Sequence, residues 1–410
     1  MAKIDDLIEK LCPNGVEYKP IWSLTAWDKK FNGVDKEKQK KIISYKYYLS
    51  TDFAKVERKD GNIKYISTGI SGDDRYTTEE LAGDYLADGE VVCIPWGGTP
   101  NVKYHKGKFV TGDNRIATSL DINILSNKFL YYWMQSKINV ISKFYRGSGI
   151  KHPSMKDVLD MNIAVPPLEV QCEIVHILDD FTLLSAELSA ELSAELEARQ
   201  KQYEYYNKLL LSFDNSIPVT KLRDIIDFKN GKGHENVVEK NGKYILVTSK
   251  AISTDMRNVR KTDRNLVPLY YEDIVMVMSD LPNGKALAKC FLVDEDEKYT
   301  LNQRIGCFTN KREDIINTKF LYYILNRNSQ LLKYDNGVEQ TNLRKDDILN
   351  IDIPIPKKEQ QIEIIKVLDK FDKLCNGISE GLPAEIEVRK KQYEYYRDKL
   401  LTFKELKVNE

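Results

Sequence analysis

Two kinds of hydrophobic pattern alternate along this chain. After Pro166, and again after Pro356, apolar residues recur at helical spacing: Ile174, Leu178 and Phe181 lie at i, i+4 and i+7, and Ile364, Leu368 and Phe371 repeat that stripe. A proline shortly before such a run suits a helix start, because its fixed φ fits the first turn and its missing N–H is not needed there. The first run continues into SAELSAELSAEL (Ser185–Leu196), three copies of a four-residue unit of strong helix formers. Leu184, Leu188, Leu192 and Leu196 recur every four residues, so each sits about 40° further around a 3.6-residue helix and the stripe wraps slowly. Beyond the tetrads the spacing alternates between three and four. Leu192, Leu196, Arg199, Tyr203, Tyr206, Leu210 and Phe213 form one seam, and Leu382, Ile386, Arg389, Tyr393, Tyr396, Leu400 and Phe403 form its twin. Seams this long, flanked by Glu, Lys and Gln, want a partner helix. The economical expectation is an intramolecular coiled coil in which the two seams pair; the alternative is a helix lying on its own domain.

Two positions in these helices stand out. Arg199 and Arg389 interrupt otherwise apolar seams at equivalent places. Either each pairs with a carboxylate at the helix crossing and sets register, or its stem packs while the guanidinium reaches water. The second helix also reads CNGISEGLPAEI (Cys375–Ile386) where the first has its tetrads. Gly377 and Gly381 weaken a helix and Pro383 removes a donor at roughly 3 kcal/mol, so a kink or break is expected there.

The pattern is a duplication. KFLYY at Lys128–Tyr132 returns letter for letter at Lys319–Tyr323, and Ile163–Phe181 matches Ile353–Phe371. RQKQYEYYNKLLLSF (Arg199–Phe213) returns as RKKQYEYYRDKLLTF (Arg389–Phe403) with ten of fifteen positions identical. An offset of 190 or 191 residues is far longer than a solenoid period, so two domain-plus-helix units follow one another. Val16–Trp27 overlays Ile217–Phe228 by apolar pattern, which makes the order nearly circular. On that register the first residues fill the place of Tyr206–Phe213 and a short N-terminal piece closes the ring. The domains are 1–165, a helical spacer 166–216, a second globular domain 217–355 and a C-terminal helical spacer 356–410.

The globular segments have another texture. Short β-rich runs such as Val91–Ile94 and Asp273–Met278 alternate with Gly, Asn and Asp turns, and short helices appear at Lys128–Met134 and Lys319–Asn326. The fold class is α+β: two similar globular domains separated by two long antiparallel helices. With 42% hydrophobic and 30% charged residues the chain is globular, and 62 basic against 62 acidic residues exclude a uniformly basic nucleic-acid coat. No signal peptide and no transmembrane run is expected. Cys12, Cys93, Cys172, Cys290, Cys307 and Cys375 stand singly, so reduced thiols and a cytoplasmic location are the simple reading.

No catalytic motif survives inspection. His105, His152, His176 and His234 are scattered, and Gly284-Lys285-Ala286 lacks the remaining residues of a phosphate-binding loop. NGKG (Asn230–Gly233) reads as a flexible turn and VDEDEK (Val293–Lys298) as a solvated loop. What remains is recognition chemistry. Lys103, Tyr104, His105, Lys106, Lys108, Asn114 and Arg115 crowd one turn-rich stretch of the first domain. Lys229, Asn230, Lys232, His234, Lys285, Gln303 and Arg304 do so in the second. Lys and Arg supply phosphate contacts, while Arg, Asn and Gln can also read base edges with paired hydrogen bonds. A polar loop of ordinary kind is the competing account for each.

The proline-led helix and its tetrads carry a family resemblance. Pro166, Pro167, Leu168, Gln171, Ile174, Val175, Leu178 and Asp179, then Pro356, Glu359, Gln360, Ile364, Ile365, Leu368 and Asp369 in the second copy, resemble the specificity subunit of type I restriction–modification systems. Ser stands in the tetrads where that family usually has Thr, and the second helix has lost the tetrad wording. The resemblance implies two target-recognition domains, each reading half of a split asymmetric DNA site, with no catalytic centre and no cofactor of their own. It implies two methyltransferase subunits as partners, which bring S-adenosylmethionine chemistry. Two translocase–nuclease subunits that use ATP and magnesium join them in a restriction assembly. The recognition domains vary so much across the family that no base-contacting residue carries over by motif. The competing class is a protein–protein scaffold with two binding domains spaced by a coiled coil.

Overall fold

The structure is a computed structural model that describes residues 2–70, 74–233, 241–281, 286–376 and 382–406. The chain forms two compact units, Met1–Ala190 with Glu387–Glu410, and Glu191–Ile386. Six helices matter below: α1 (Ala2–Leu11), α2 (Asn127–Ser136), α3 (Leu168–Leu210), α4 (Thr318–Leu325), α5 (Lys358–Asn376) and α6 (Leu382–Leu400).

The first unit is built on a six-stranded sheet. Its order is Thr25–Trp27, Asn114–Ser119, Ala87–Pro95, Lys103–Thr111, Ile63–Ile66 and Tyr76–Thr77. Only Ile63–Ile66 against Lys103–Thr111 is parallel. A separate antiparallel ribbon joins Glu17–Pro20 to Asn162–Val165, with Glu17 opposite Val165. The second unit repeats the ribbon as Val219–Lys221 against Asp352–Pro354. There the large sheet is divided. Four strands run Ile226–Asn230, Ile305–Asn310, Ile274–Val277, Cys290–Leu292, and three run Arg260–Thr262, Tyr244–Val247, Tyr299–Leu301. The strand, helical turn and strand at 17–27 recur at 219–230, as the overlay of Val16–Trp27 on Ile217–Phe228 anticipates.

Each unit closes its core with the same helices. In the first, Phe129 and Leu130 of α2 meet Val170, Ile174 and Leu178 of α3 with no exposed surface. In the second, Phe320 and Leu321 of α4 meet Ile364 and Leu368 of α5. Each such side chain contributes about 1.5–3 kcal/mol by leaving water. Gln171 is fully buried among them. Its Nε2 donates to the carbonyls of Ile124 (2.7 Å) and Pro166 (2.8 Å), and its Oε1 accepts from Ser126 N (2.9 Å). Gln361 repeats this with Ile315, Pro356 and Asn317. The second copy of the motif therefore uses Gln361, while Gln360 is exposed.

Within each unit the late part of one long helix packs on the early part of the other. In the first unit Tyr396 packs edge-on against Phe181 (6.2 Å between ring centres) and the Tyr393 hydroxyl lies 3.0 Å from Thr182. In the second, Tyr203 and Tyr206 pack on Phe371 (6.3 and 5.4 Å). Antiparallel pairing brings the late part of one helix onto the early stripe of the other, so the aromatic end of each seam rests on the stripe that follows the opposite proline. Leu192, Leu196, Leu382 and Ile386 are half-buried. The expected wrapping stripe needs correction, since Leu184 is exposed. The packed line runs through Phe181, Ser185, Leu188 and Leu192, so the three–four spacing extends back through the first tetrad and the wrapping stripe is left behind. Of the two accounts of the seam arginines, Arg199 makes its contacts within its own helix. Its Nε donates to Glu195 of its own helix (2.8 Å) and its Nη1 to Gln202 (2.9 Å). Arg389 is exposed and donates to Gln392. The expected break falls at Gly377–Gly381, outside the described residues.

The N-terminal residues also differ from expectation. In the first unit, Leu400, Leu401 and Phe403 join the core at the place that Leu210, Leu211 and Phe213 hold in the second. Helix α1, with Ile4 buried, is an addition to that repeat. The ring closes nearby: Val16 N donates to Lys404 O and Leu406 N to Val16 O, both at 2.9 Å. No helix among the described residues is long and apolar enough to cross a membrane.

Candidate nucleic-acid interface

In the first unit the candidate residues from Lys103 to Lys108 share one strand, and their side chains take different roles. Lys103 Nζ donates to Ser67 O (2.6 Å) and Oγ (3.0 Å), and burial depresses its pKa. Tyr104 donates to Glu90 (2.6 Å), and burial with that carboxylate pushes its pKa well up. His105 lies 3.0 Å from Lys108 O, and burial lowers its pKa, which favours a neutral ring at pH 7. Lys106 is exposed, 4.0 Å from Glu90, and Lys108 pairs with Glu79. Lys106 and Lys108 are thus the exposed cations of this set.

Asn114 and Arg115 face inward. Asn114 Nδ2 donates to Ile66 O (2.7 Å) and Thr111 Oγ1 (3.1 Å). Arg115, with 5% of its side chain exposed, pairs with Asp113 (2.9 Å) and lies 4.0 Å over the Trp96 ring. Both are occupied within the domain, holding the 66–68 and 96–98 turns in place. The Trp96 ring also lies 4.9 Å from the His152 ring, tilted by 40°, and His152 Nδ1 lies 2.8 Å from Trp96 O. His152 therefore sits beside Trp96 and Arg115, a neighbourhood that sequence spacing did not reveal.

The second unit gathers its candidates more tightly. Gly231 lets the 230–233 turn touch the 302–304 turn: a Cβ there would lie 1.8 Å from Asn302 O. Gly231 N donates to Ile305 O, and Lys232 forms an isolated bridge with Asn302. Asn230, Lys232, Gln303 and Arg304 thereby meet on one exposed edge, and Lys229 sits 5.8 Å from the Tyr270 ring beside it. NGKG is thus an anchored turn. His234 and Lys285 lie outside the described residues.

Next to this edge is a cavity of about 210 Å³ lined by Thr248, Ser249, Lys250, Asn258, Arg260, Asn302 and Arg304. Three cations from three separate segments face it, and no carboxylate lines it. Among the described residues none of Lys250, Arg260 and Arg304 has an acidic partner. The Asn302 Oδ1 atom is buried without a hydrogen bond. Such a wall offers donors to an anion. Sequence reasoning found only Arg304 here, because Lys250 and Arg260 are remote in the chain and ordinary in context. No group of three or more His, Cys, Asp or Glu placed to hold a metal occurs among the described residues.

Residues 38–198 and 217–388 both match the family described as "Type I restriction modification DNA specificity domain". A putative type I restriction enzyme specificity subunit of Haemophilus influenzae is 30% identical over 370 residues, 84% of this chain and 89% of that one. The EcoR124I/EcoR124II specificity subunit of Escherichia coli is 32% identical over 313 residues, covering 70% and 74%. A chain from a solved type I restriction–modification system, studied for its complex assembly and conformational transition, has a similar fold. Its TM-score is 0.51 at 14% identity, covering 84% of this chain and 94% of that one.

Proposed function

Because this chain belongs to the family of type I restriction–modification DNA specificity domains, whose general role is DNA sequence recognition, we propose that it reads a split, asymmetric DNA site with one recognition domain per half. The observation that carries this reading is the duplication itself: two copies of one domain-plus-helix unit, each with its own core and its own docked helix. A carboxylate-free wall of Lys250, Arg260 and Arg304 supports contact with phosphates on the second half. In the first domain Lys106 and Lys108 are the exposed cations available for the same task. The chain delivers two methyltransferase subunits to the site, since two matching halves offer two similar docking surfaces, and a restriction assembly adds two translocase–nuclease subunits. S-adenosylmethionine, ATP and magnesium belong to those partners; this chain performs no catalysis, and it works in the cytoplasm.

The test is a domain exchange in the complex with the methyltransferase partner. Replacing Val16–Val165 with the corresponding segment of a relative changes one half-site and leaves the other, read by sequencing methylated genomic positions. A change in both halves, or methylation by this chain without its partner, overturns the reading. Binding to the site weakens steeply with salt, with a slope of about −0.9 per phosphate neutralised. A protein–protein scaffold has no such slope.

A further inference from the structure

KFLYY, repeated letter for letter, reads from the structure as a clamp on the spacer helix. Lys128 and Tyr132 lie at i and i+4, on one face of α2. Both reach the same carboxylate on α3: Lys128 Nζ donates to Asp179 Oδ2 (2.7 Å) and Tyr132 Oη to Asp179 Oδ1 (2.6 Å). In the second unit, Lys319 Nζ donates to Asp369 Oδ2 (2.7 Å) and Tyr323 Oη to Asp369 Oδ1 (2.5 Å). Phe129 and Leu130, like Phe320 and Leu321, turn into the core. The repeated letters thus divide into packing residues and gripping residues.

We propose that Asp179 and Asp369 are positioning residues that fix the angle at which each recognition domain leaves its helix, and so confine the protein to one spacing between its DNA half-sites. The proposal rests on the reading of this chain as a split-site DNA reader. Apolar burial holds domain to helix but is not directional, so it tolerates rolling and sliding. Two donors on two oxygens of one carboxylate are directional. The buried glutamine is a second pin, eight residues earlier and about 12 Å along the helix. Two pins define a line, and the apolar face between them stops rotation about it. Asp179 and Asp369 keep 36% and 27% of their side chains exposed, so hydrated ion pairs there add little to stability. Orientation is what they supply. The tolerance is narrow: a domain of about 160 residues is about 40 Å across, so a tilt of about 5° moves its far edge by about 3.4 Å, one base-pair step.

The test uses the complex with its methyltransferase and duplexes whose half-sites stand at the native separation or one base pair closer or farther. Wild type modifies the native spacing alone. Asp179→Ala retains both half-site sequences but loses about tenfold in discrimination between spacings, which is about 1.4 kcal/mol. Asp179→Asn, which keeps an acceptor for Tyr132, restores most of it, and Asp369→Ala behaves like Asp179→Ala. Should the alanine variants fail to fold, Tyr132→Phe and Tyr323→Phe, each lacking one oxygen, carry the same expectation. Unchanged discrimination at full activity overturns the proposal, as does activity lost equally at all spacings in step with a lower melting temperature. A wild type that reads no split site overturns the functional reading itself, and the proposal with it.

Discussion

Deleting one tetrad, Ser189–Leu192, tests whether α3 is a ruler. The helix runs unbroken over 43 residues, so its length is about 64 Å, and the deletion removes about 6 Å. Four residues turn through about 400°, so the rest of the helix returns to nearly the same face with a change of about 40°. A DNA base pair advances about 3.4 Å per strand and turns by about 35°, given about 10–10.5 base pairs per turn. By translation along a parallel duplex the spacer shortens by one to two base pairs; by rotation it shortens by one. A helix oblique to the duplex projects less than its full 6 Å, which reconciles the two at one base pair. The seam survives the cut, because Ser193 then follows Leu188 directly and Leu196 stands four residues after Leu188, leaving the half-buried line close to its former face. Methylome sequencing of a strain carrying the deletion decides the matter. Both half-sites keep their sequences and the spacer loses one base pair. An unchanged spacer at full activity shows that the tetrads are a tether, and the ruler argument fails.

Two further outcomes follow from buried groups. Asp28 is buried and accepts from Ile116 N (3.0 Å), and burial raises its pKa from 3.8 to about 6. Its folded form therefore holds a proton more tightly than its unfolded form, so its contribution is greatest below pH 4 and is lost as pH rises through 6. Asp28→Asn gains on wild type by roughly 3 kcal/mol between pH 4 and 7, at about 1.36 kcal/mol per pH unit; a stability difference flat in pH, measured by urea melts, refutes this. Gly231→Ala drives a Cβ into the Asn302 carbonyl, lowers stability by about 1–3 kcal/mol and weakens reading of the second half-site only. Unchanged calorimetric melting refutes the close approach.

The sequence made the repeat legible because identical letters survive where one residue has two duties, as Lys128 and Tyr132 do. The seam positions were legible too: Leu192, Leu196, Arg199, Tyr203, Tyr206, Leu210 and Phe213 are all half-buried. Their partners were not, since a heptad announces a neighbour without naming it, and antiparallel geometry assigned each seam to the other stripe. For the candidate interface the limit was side-chain direction. Asn114 and Arg115 sit in a polar stretch that reads as exposed, yet Ile66 and Trp96, brought in from other segments, and the neighbouring Asp113 turn them inward. Lys250 and Arg260 became interesting only when folding put them beside Arg304.

The closure of Val16 onto Lys404 and Leu406 has a consequence for how the chain is made. The second unit is continuous from Glu191 to Ile386, whereas the first needs Leu400, Leu401 and Phe403 to finish its core. On a ribosome the first recognition domain emerges early and stays incomplete while the 196 residues of the second are added. At about 5–20 residues per second that interval is about 10–40 s. The order of completion is thus the reverse of the order of synthesis. During the wait, the apolar patch that Leu400 and Leu401 will cover is open to whatever else is present, so the earlier-made of the two units is the one most in need of a chaperone.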